Sequence, residues 1–145
     1  MWALLSGGAL PGAFASAHAA DTSSPVGLWK TVDDHTGQPR ALVRIYQQNG
    51  ALFGKVEKSF TPGAETRVCT QCKDERHNQP MLGLTIIRNL HQDGDSWDGG
   101  DILDPDSGTV YRCKLHLEEH GTRLVVRGFI GISLLGRSQT WQREG

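Results

Sequence analysis

The chain has 145 residues, with 15 Lys and Arg against 16 Asp and Glu for a formal charge of −1. That near-neutral balance, without a basic block, argues against nucleic acid, which needs a concentrated positive face. A chain of this length with 37% hydrophobic residues suits one domain with one hydrophobic core.

The first twenty residues differ from the rest. They carry no acidic or basic side chain, are rich in Ala, Gly and Leu, and reach Ala17-His18-Ala19. Small residues at the first and third of those positions suit a signal peptidase, so cleavage is expected after Ala19. The apolar stretch from Trp2 to Ala15 is broken by Pro11 and is shorter than the about 20 apolar residues that cross a bilayer. Against this reading, the start lacks the Lys or Arg of most such leaders; a disordered terminus or an apolar strand is the alternative. The expected organisation is a signal peptide over 1–19 and a single domain over 20–145 with its core in 25–143, exported to the periplasm or beyond the cell. No later segment is a transmembrane candidate.

After the leader the chain alternates and turns repeatedly. Gly27 to Val32 opens the series. Next, Leu42, Arg44 and Tyr46 share one face of a strand while Ala41, Val43 and Ile45 share the other, and Gln48-Asn49-Gly50 supplies a tight turn. Leu52 to Phe60 follows with period-two polarity. After a polar loop come Leu82 to His91, a turn at Gln92-Asp93-Gly94-Asp95, and Trp97 to Leu103. Asp104-Pro105-Asp106-Ser107-Gly108 reads as a type I turn. Val110 to Glu118 is the clearest strand, with Tyr111, Cys113, Leu115 and Leu117 on one face and Arg112, Lys114, His116 and Glu118 on the other. Thr122 to Ile130 and Arg137 to Arg143 complete eight strands with almost no helical periodicity. Short polar connections imply an all-β, antiparallel up-and-down meander, and eight strands lose their exposed edges by closing into a small barrel. A flat or sandwich arrangement is the structural alternative.

Gly27-Leu28-Trp29 near the start and Thr140-Trp141-Gln142-Arg143 near the end resemble the ends of the lipocalins and their calycin relatives. There the first strand opens with Gly-x-Trp and an Arg of the last strand covers the indole, closing one end by a cation–π contact. The resemblance implies that Gly27, Trp29, Trp141 and Arg143 close the barrel. A wider set is similar to the bacterial exported family catalogued as domain of unknown function 2147. It comprises Gly27 to Thr31, Leu42 to Ile45, Asn49 to Val56, Pro80 to Leu84, Trp97 to Pro105, Ser107 to Tyr111 and Val126 to Trp141. This resemblance implies a lipocalin-like barrel and an exported location; it implies no enzyme activity.

Cys69-Thr70-Gln71-Cys72 lies in the polar loop. A local disulfide is the reading an oxidising compartment favours. Half of a zinc set, a thiol-redox pair or two free thiols are the alternatives. Cys113 falls on an apolar face and reads as a small buried hydrophobe. His35, His77, His91, His116 and His120 share no metal-binding pattern, and Asp98, Asp101, Asp104 and Asp106 lack calcium-loop spacing. Gly131-Ile132-Ser133-Leu134-Leu135 lacks the last Gly of a nucleophile elbow. The chain is therefore read as a non-enzyme without metal or cofactor. Gly128 to Gly136, apolar and interrupted by glycine, is expected to bend across a barrel mouth, with two large side chains capping the interior.

Together these expectations describe a module holding a small apolar or amphipathic ligand such as a fatty acid. Arg44 and Arg127 are the candidate carboxylate partners, and Tyr46, Phe53, Trp97, Tyr111 and Phe129 the candidate lining. An envelope structural or interaction protein with a filled barrel is the first alternative, and a Cys-x-x-Cys metal or redox protein the second. No protein partner is legible in the sequence.

Overall fold

A computed structural model describes residues 22–131 and 135–145. Eight strands form a closed antiparallel barrel in chain order. They are β1 (Gly27–Val32), β2 (Pro39–Gln48), β3 (Ala51–Ser59), β4 (Thr85–Asp93), β5 (Ser96–Asp104), β6 (Thr109–Glu118), β7 (Arg123–Phe129) and β8 (Gly136–Arg143). The expected all-β barrel is present, and the sandwich alternative is not.

The turns follow their chemistry. Asn49 and Gly50 both adopt positive φ, 53° and 80°, between the paired residues Gln48 and Ala51. That is the two-residue geometry whose twist matches two paired strands. At the β5–β6 turn the Gly108 amide donates to the Asp104 carbonyl (2.8 Å), and the Asp104 carboxylate accepts from the Asp106 amide and the Ser107 hydroxyl.

One end of the barrel is filled by large side chains. Trp29, Ile45, Leu52, Leu90, Leu115 and Leu124 are all fully buried there. Asn89, with φ 61°, breaks the alternation of β4, so that Ile87 and Leu90 are both buried although three residues apart. Such a bulge re-aims side chains without ending a strand.

β4 starts at Thr85, three residues later than the sequence pattern suggests. The apolar run Leu82–Leu84 ends a loop instead, docked on β3 through the Val56 amide to the Leu84 carbonyl and the Gly83 amide to the Val56 carbonyl. This loop, residues 60–84, carries a short 3-10 turn (Ala64–Thr66) and an isolated bridge between Val68 and Pro80. It is fixed by charge as well as by apolar contact. Arg76, only 5% exposed, bonds the Asp74 carboxylate through Nε and Nη2 and the Thr85 carbonyl through Nη1. Arg88 on β4 reaches Glu75 and Asp101. The Arg76 hydrogen bond holds the Asp74 carboxyl down at about 2.

Candidate functional site

The two ends of the barrel differ in side-chain volume. Toward the β7–β8 connection, inward positions carry Thr31, Ala41, Val43, Val56, Val126 and Gly128 in place of the large residues below. Small residues cannot meet across an eight-stranded cylinder, and a cavity of about 650 Å³ remains. Val43, Val56, Ile86, Ile102, Val126 and the Trp141 indole give it apolar walls, with Tyr111 among them. Gly128 is part of the reason for the space: a Cβ there would lie 3.3 Å from that of Tyr111.

The rim is ionic. Arg40, Arg67 and Arg137 line the mouth together with Asp104 and Asp106. Arg40 Nη2 donates to Asp106 Oδ2 at 2.9 Å, and Arg67 Nη2 stands 3.7 Å from Oδ1 of the same carboxylate. Arg137 Nη2 lies 3.5 Å from Asp34 Oδ2, which also accepts from Gln139 Nε2 at 3.2 Å. All three guanidiniums lie at least partly in water, so each is held for its acid by at most about 1 kcal/mol. Exchange with an incoming anion is correspondingly cheap.

One wall of the mouth is the 60–84 loop, which contributes Arg67 and Met81. Its Cys69 and Cys72 pair as a disulfide with Cα atoms 5.5 Å apart, in agreement with the favoured reading of the motif. The disulfide lies against the β5–β6 turn: Cys69 Sγ is 3.8 Å from the Pro105 carbonyl oxygen, and Gly108 abuts the Gln71 backbone so closely that a Cβ would not fit. Cys113 is buried within the barrel, which pushes its thiol up to about 12.

Of the seven expected ligand-site residues, Tyr111 alone lines this cavity. Trp97 shares an inward face with its cross-strand partner Leu115 and packs against the core at the filled end. The other five point outward. Arg44 pairs with Glu57. Tyr46 and Phe53 stack on each other with centroids 5.9 Å apart, in an outer groove under the 60–84 loop. Arg127 reaches Ser138, and Phe129 lies under Arg112. The correction has one cause. Period-two patterning separates two faces without saying which is inside, and in β2, β3 and β7 the inward faces are Val43–Ile45, Leu52–Gly54–Val56 and Leu124–Val126–Gly128. A signal was present: those faces carry no charge, whereas the rejected ones hold Arg44, Lys55 and Arg127. The rim residues Arg40, Arg67 and Arg137 stood in or beside turns, where a scattered charge gives no signal.

The proposed closing group divides in two. Arg143 lies over Trp29, its guanidinium carbon 4.4 Å from the ring centroid, and bonds the carbonyls of Ser24, Val26 and Gly121. Trp29 donates its indole N–H to the Pro25 carbonyl at 2.8 Å. A Cβ on Gly27 would collide with Arg143 and the Gly145 backbone, so glycine is required there. Trp141 does not join this plug; it faces the cavity one step up β8, its N–H bonded to Gln139. In the connection after β7, Ile130 and Leu135 are exposed at 56% and 67% and do not cap the interior. Ile132 and Leu134 lie outside the described residues.

Among solved structures, the chain is similar to the protein described as "Protein HP1028 from the human pathogen Helicobacter pylori belongs to the lipocalin family". The TM-score is 0.72 at 16% identity, covering 84% of each chain. At that identity the likeness concerns the fold. No curated protein matches the sequence. A family model matches residues 27–143, from the Gly of the plug to its Arg, so the chain belongs to the bacterial family described as "Uncharacterized protein conserved in bacteria (DUF2147)".

Proposed function

We propose that this protein is an exported, non-enzymatic carrier of a small amphipathic molecule, such as a fatty acid or a lipid fragment. The apolar part lies in the barrel cavity, and an anionic head meets Arg40 or Arg67 at the rim. The observation that carries the reading is the 650 Å³ cavity with apolar walls and guanidiniums gathered at its mouth. Ligand sites are typically about 300–1,000 Å³, mostly apolar, with a few placed polar groups. The same volume speaks against the filled-barrel alternative, and the Cys69–Cys72 disulfide against a metal or dithiol role for those sulfurs.

The direct test is to purify the secreted protein natively, analyse its organic extract by mass spectrometry, and titrate the emptied protein with a fluorescent fatty acid. An amphipathic molecule in stoichiometric amount, or saturable binding weakened about tenfold or more by the double change Arg40→Ala and Arg67→Ala, supports the proposal. The tenfold figure follows from about 1.5–3 kcal/mol for a charge-assisted hydrogen bond. Empty protein that fails to bind the probe removes the proposal.

A further inference from the structure

The barrel wall is not equally complete at every seam. β8 pairs with β7 through seven residues, from Gly136 to Gln142, yet with β1 only through Arg143 and Gln142, at the plugged end. Other ladders run further toward the mouth: Ala41 still faces Ser59, Asp104 faces Thr109 and Phe129 faces Gly136, while the β4–β5 ladder reaches Ile87–Ile102 and the β6–β7 ladder Arg112–Phe129. The β3–β4 seam is continued by the Val56–Leu84 bonds. Among the described residues, Gly136 to Trp141 of β8 therefore have no β1 partner, a stretch of about 20 Å at the usual strand rise.

This seam opens on the cavity. Thr31 and Val32 on one bank and Gly136, Arg137 and Gln139 on the other all line it. Across the gap at the mouth reaches Asp34, from the β1–β2 turn, with its Oδ2 facing both Arg137 and Gln139. Side chains thus do there what backbone ladders do elsewhere. Opening this seam requires breaking one exposed ion pair and one hydrogen bond, whereas opening any other breaks a run of backbone bonds.

We infer that the slot between β1 and β8 is a lateral passage into the cavity and that Asp34 is its latch. This rests on the carrier reading above and concerns how the ligand gets in and out, not how tightly it is held. A slot that parts sideways admits a flexible chain along its length while the plug of Trp29 and Arg143 stays closed. The latch should govern the rates of binding and release together and leave their ratio almost unchanged.

The experiment uses the full secreted chain and a naturally fluorescent polyene fatty acid. Stopped-flow release is compared for the wild type, Asp34→Asn and Glu57→Gln; the last removes a surface ion pair with Arg44 on the outer face. Loss of the charge pair with Arg137 should speed both association and release by up to about fivefold in Asp34→Asn. The dissociation constant should stay within about twofold, and Glu57→Gln should behave as wild type. Hydrogen exchange gives a readout without ligand. The amides of Ser138–Thr140 that alternate away from β7 should exchange faster than those of Val125–Arg127, and faster again in Asp34→Asn. Normal probe binding with unchanged rates, or uniformly slow exchange along β8, overturns the passage and leaves the carrier standing. Absence of probe binding overturns both.

Discussion

Replacing Trp29 by Ala tests the plug that closes the barrel. Trp29 is fully buried, its N–H satisfied by the Pro25 carbonyl and its face covered by the Arg143 guanidinium. Truncating a buried aromatic to Ala costs about 3–5 kcal/mol through lost transfer energy and the cavity left behind. The cation–π contact adds about 1 kcal/mol for a partly desolvated pair. The neighbours cannot collapse inward, because Arg143 is held by three backbone carbonyls and Gly27 is wedged beneath it. We therefore expect the upper part of the range, about 4–5 kcal/mol. Chemical denaturation read by intrinsic fluorescence and circular dichroism measures it directly. At about 3–5 °C per kcal/mol for a domain of this size, the melting midpoint should fall by about 15–20 °C. A double-mutant cycle with Arg143→Lys isolates the stacking contribution. A midpoint within about 3 °C of wild type would show that the indole does not close the barrel.

Three further outcomes concern the cysteines and the 60–84 loop. Replacing Cys69 and Cys72 together by Ser should cost about 2 kcal/mol, because a ring this short constrains the unfolded chain little; native thiol titration of the unmodified protein should meanwhile find Cys113 unreactive at pH 8, its burial disfavouring the thiolate. Asp74 has a lowered pKa, so its contribution is present above pH 4 and is lost as pH falls through about 2. At about 1.4 kcal/mol per unit, less solvent screening, that is at most about 2 kcal/mol. Between pH 4 and pH 2 amide exchange in residues 72–84 should rise before the strands respond, and Asp74→Asn should abolish that phase.

The fold was legible because its determinants are local. Alternation in β6, Asn49-Gly50, and the Asp104 turn each specify their own geometry, and closure follows once eight such strands meander. The Trp29–Arg143 contact was legible only through resemblance, since residues so far apart in sequence carry no local signature of meeting. Orientation was harder. A strand slipped by one position exchanges its faces, and large residues such as Tyr46, Phe53 and Phe129 resemble core while stacking on the outer surface. The cavity itself depends on what is missing from inward positions, at Gly128 and the small residues level with it, and absence of volume becomes visible only once the register is known. Arg40, Arg67 and Arg137 come together only through the closing of the barrel, from a strand end, a loop and the start of the last strand.

On the proposed reading, the space above Trp141 holds the ligand. Val126 is nearly buried on the cavity wall, and Val126→Trp puts an indole into the space while leaving the rim arginines untouched. Titrating this variant and the wild type with the same fluorescent fatty acid, at matched stability, is the most direct measurement. Binding to Val126→Trp should be at least about tenfold weaker, the loss expected when a few buried methylenes of ligand are displaced at about 0.8 kcal/mol each. Equal affinity in the two proteins would place the ligand elsewhere and contradict that reading.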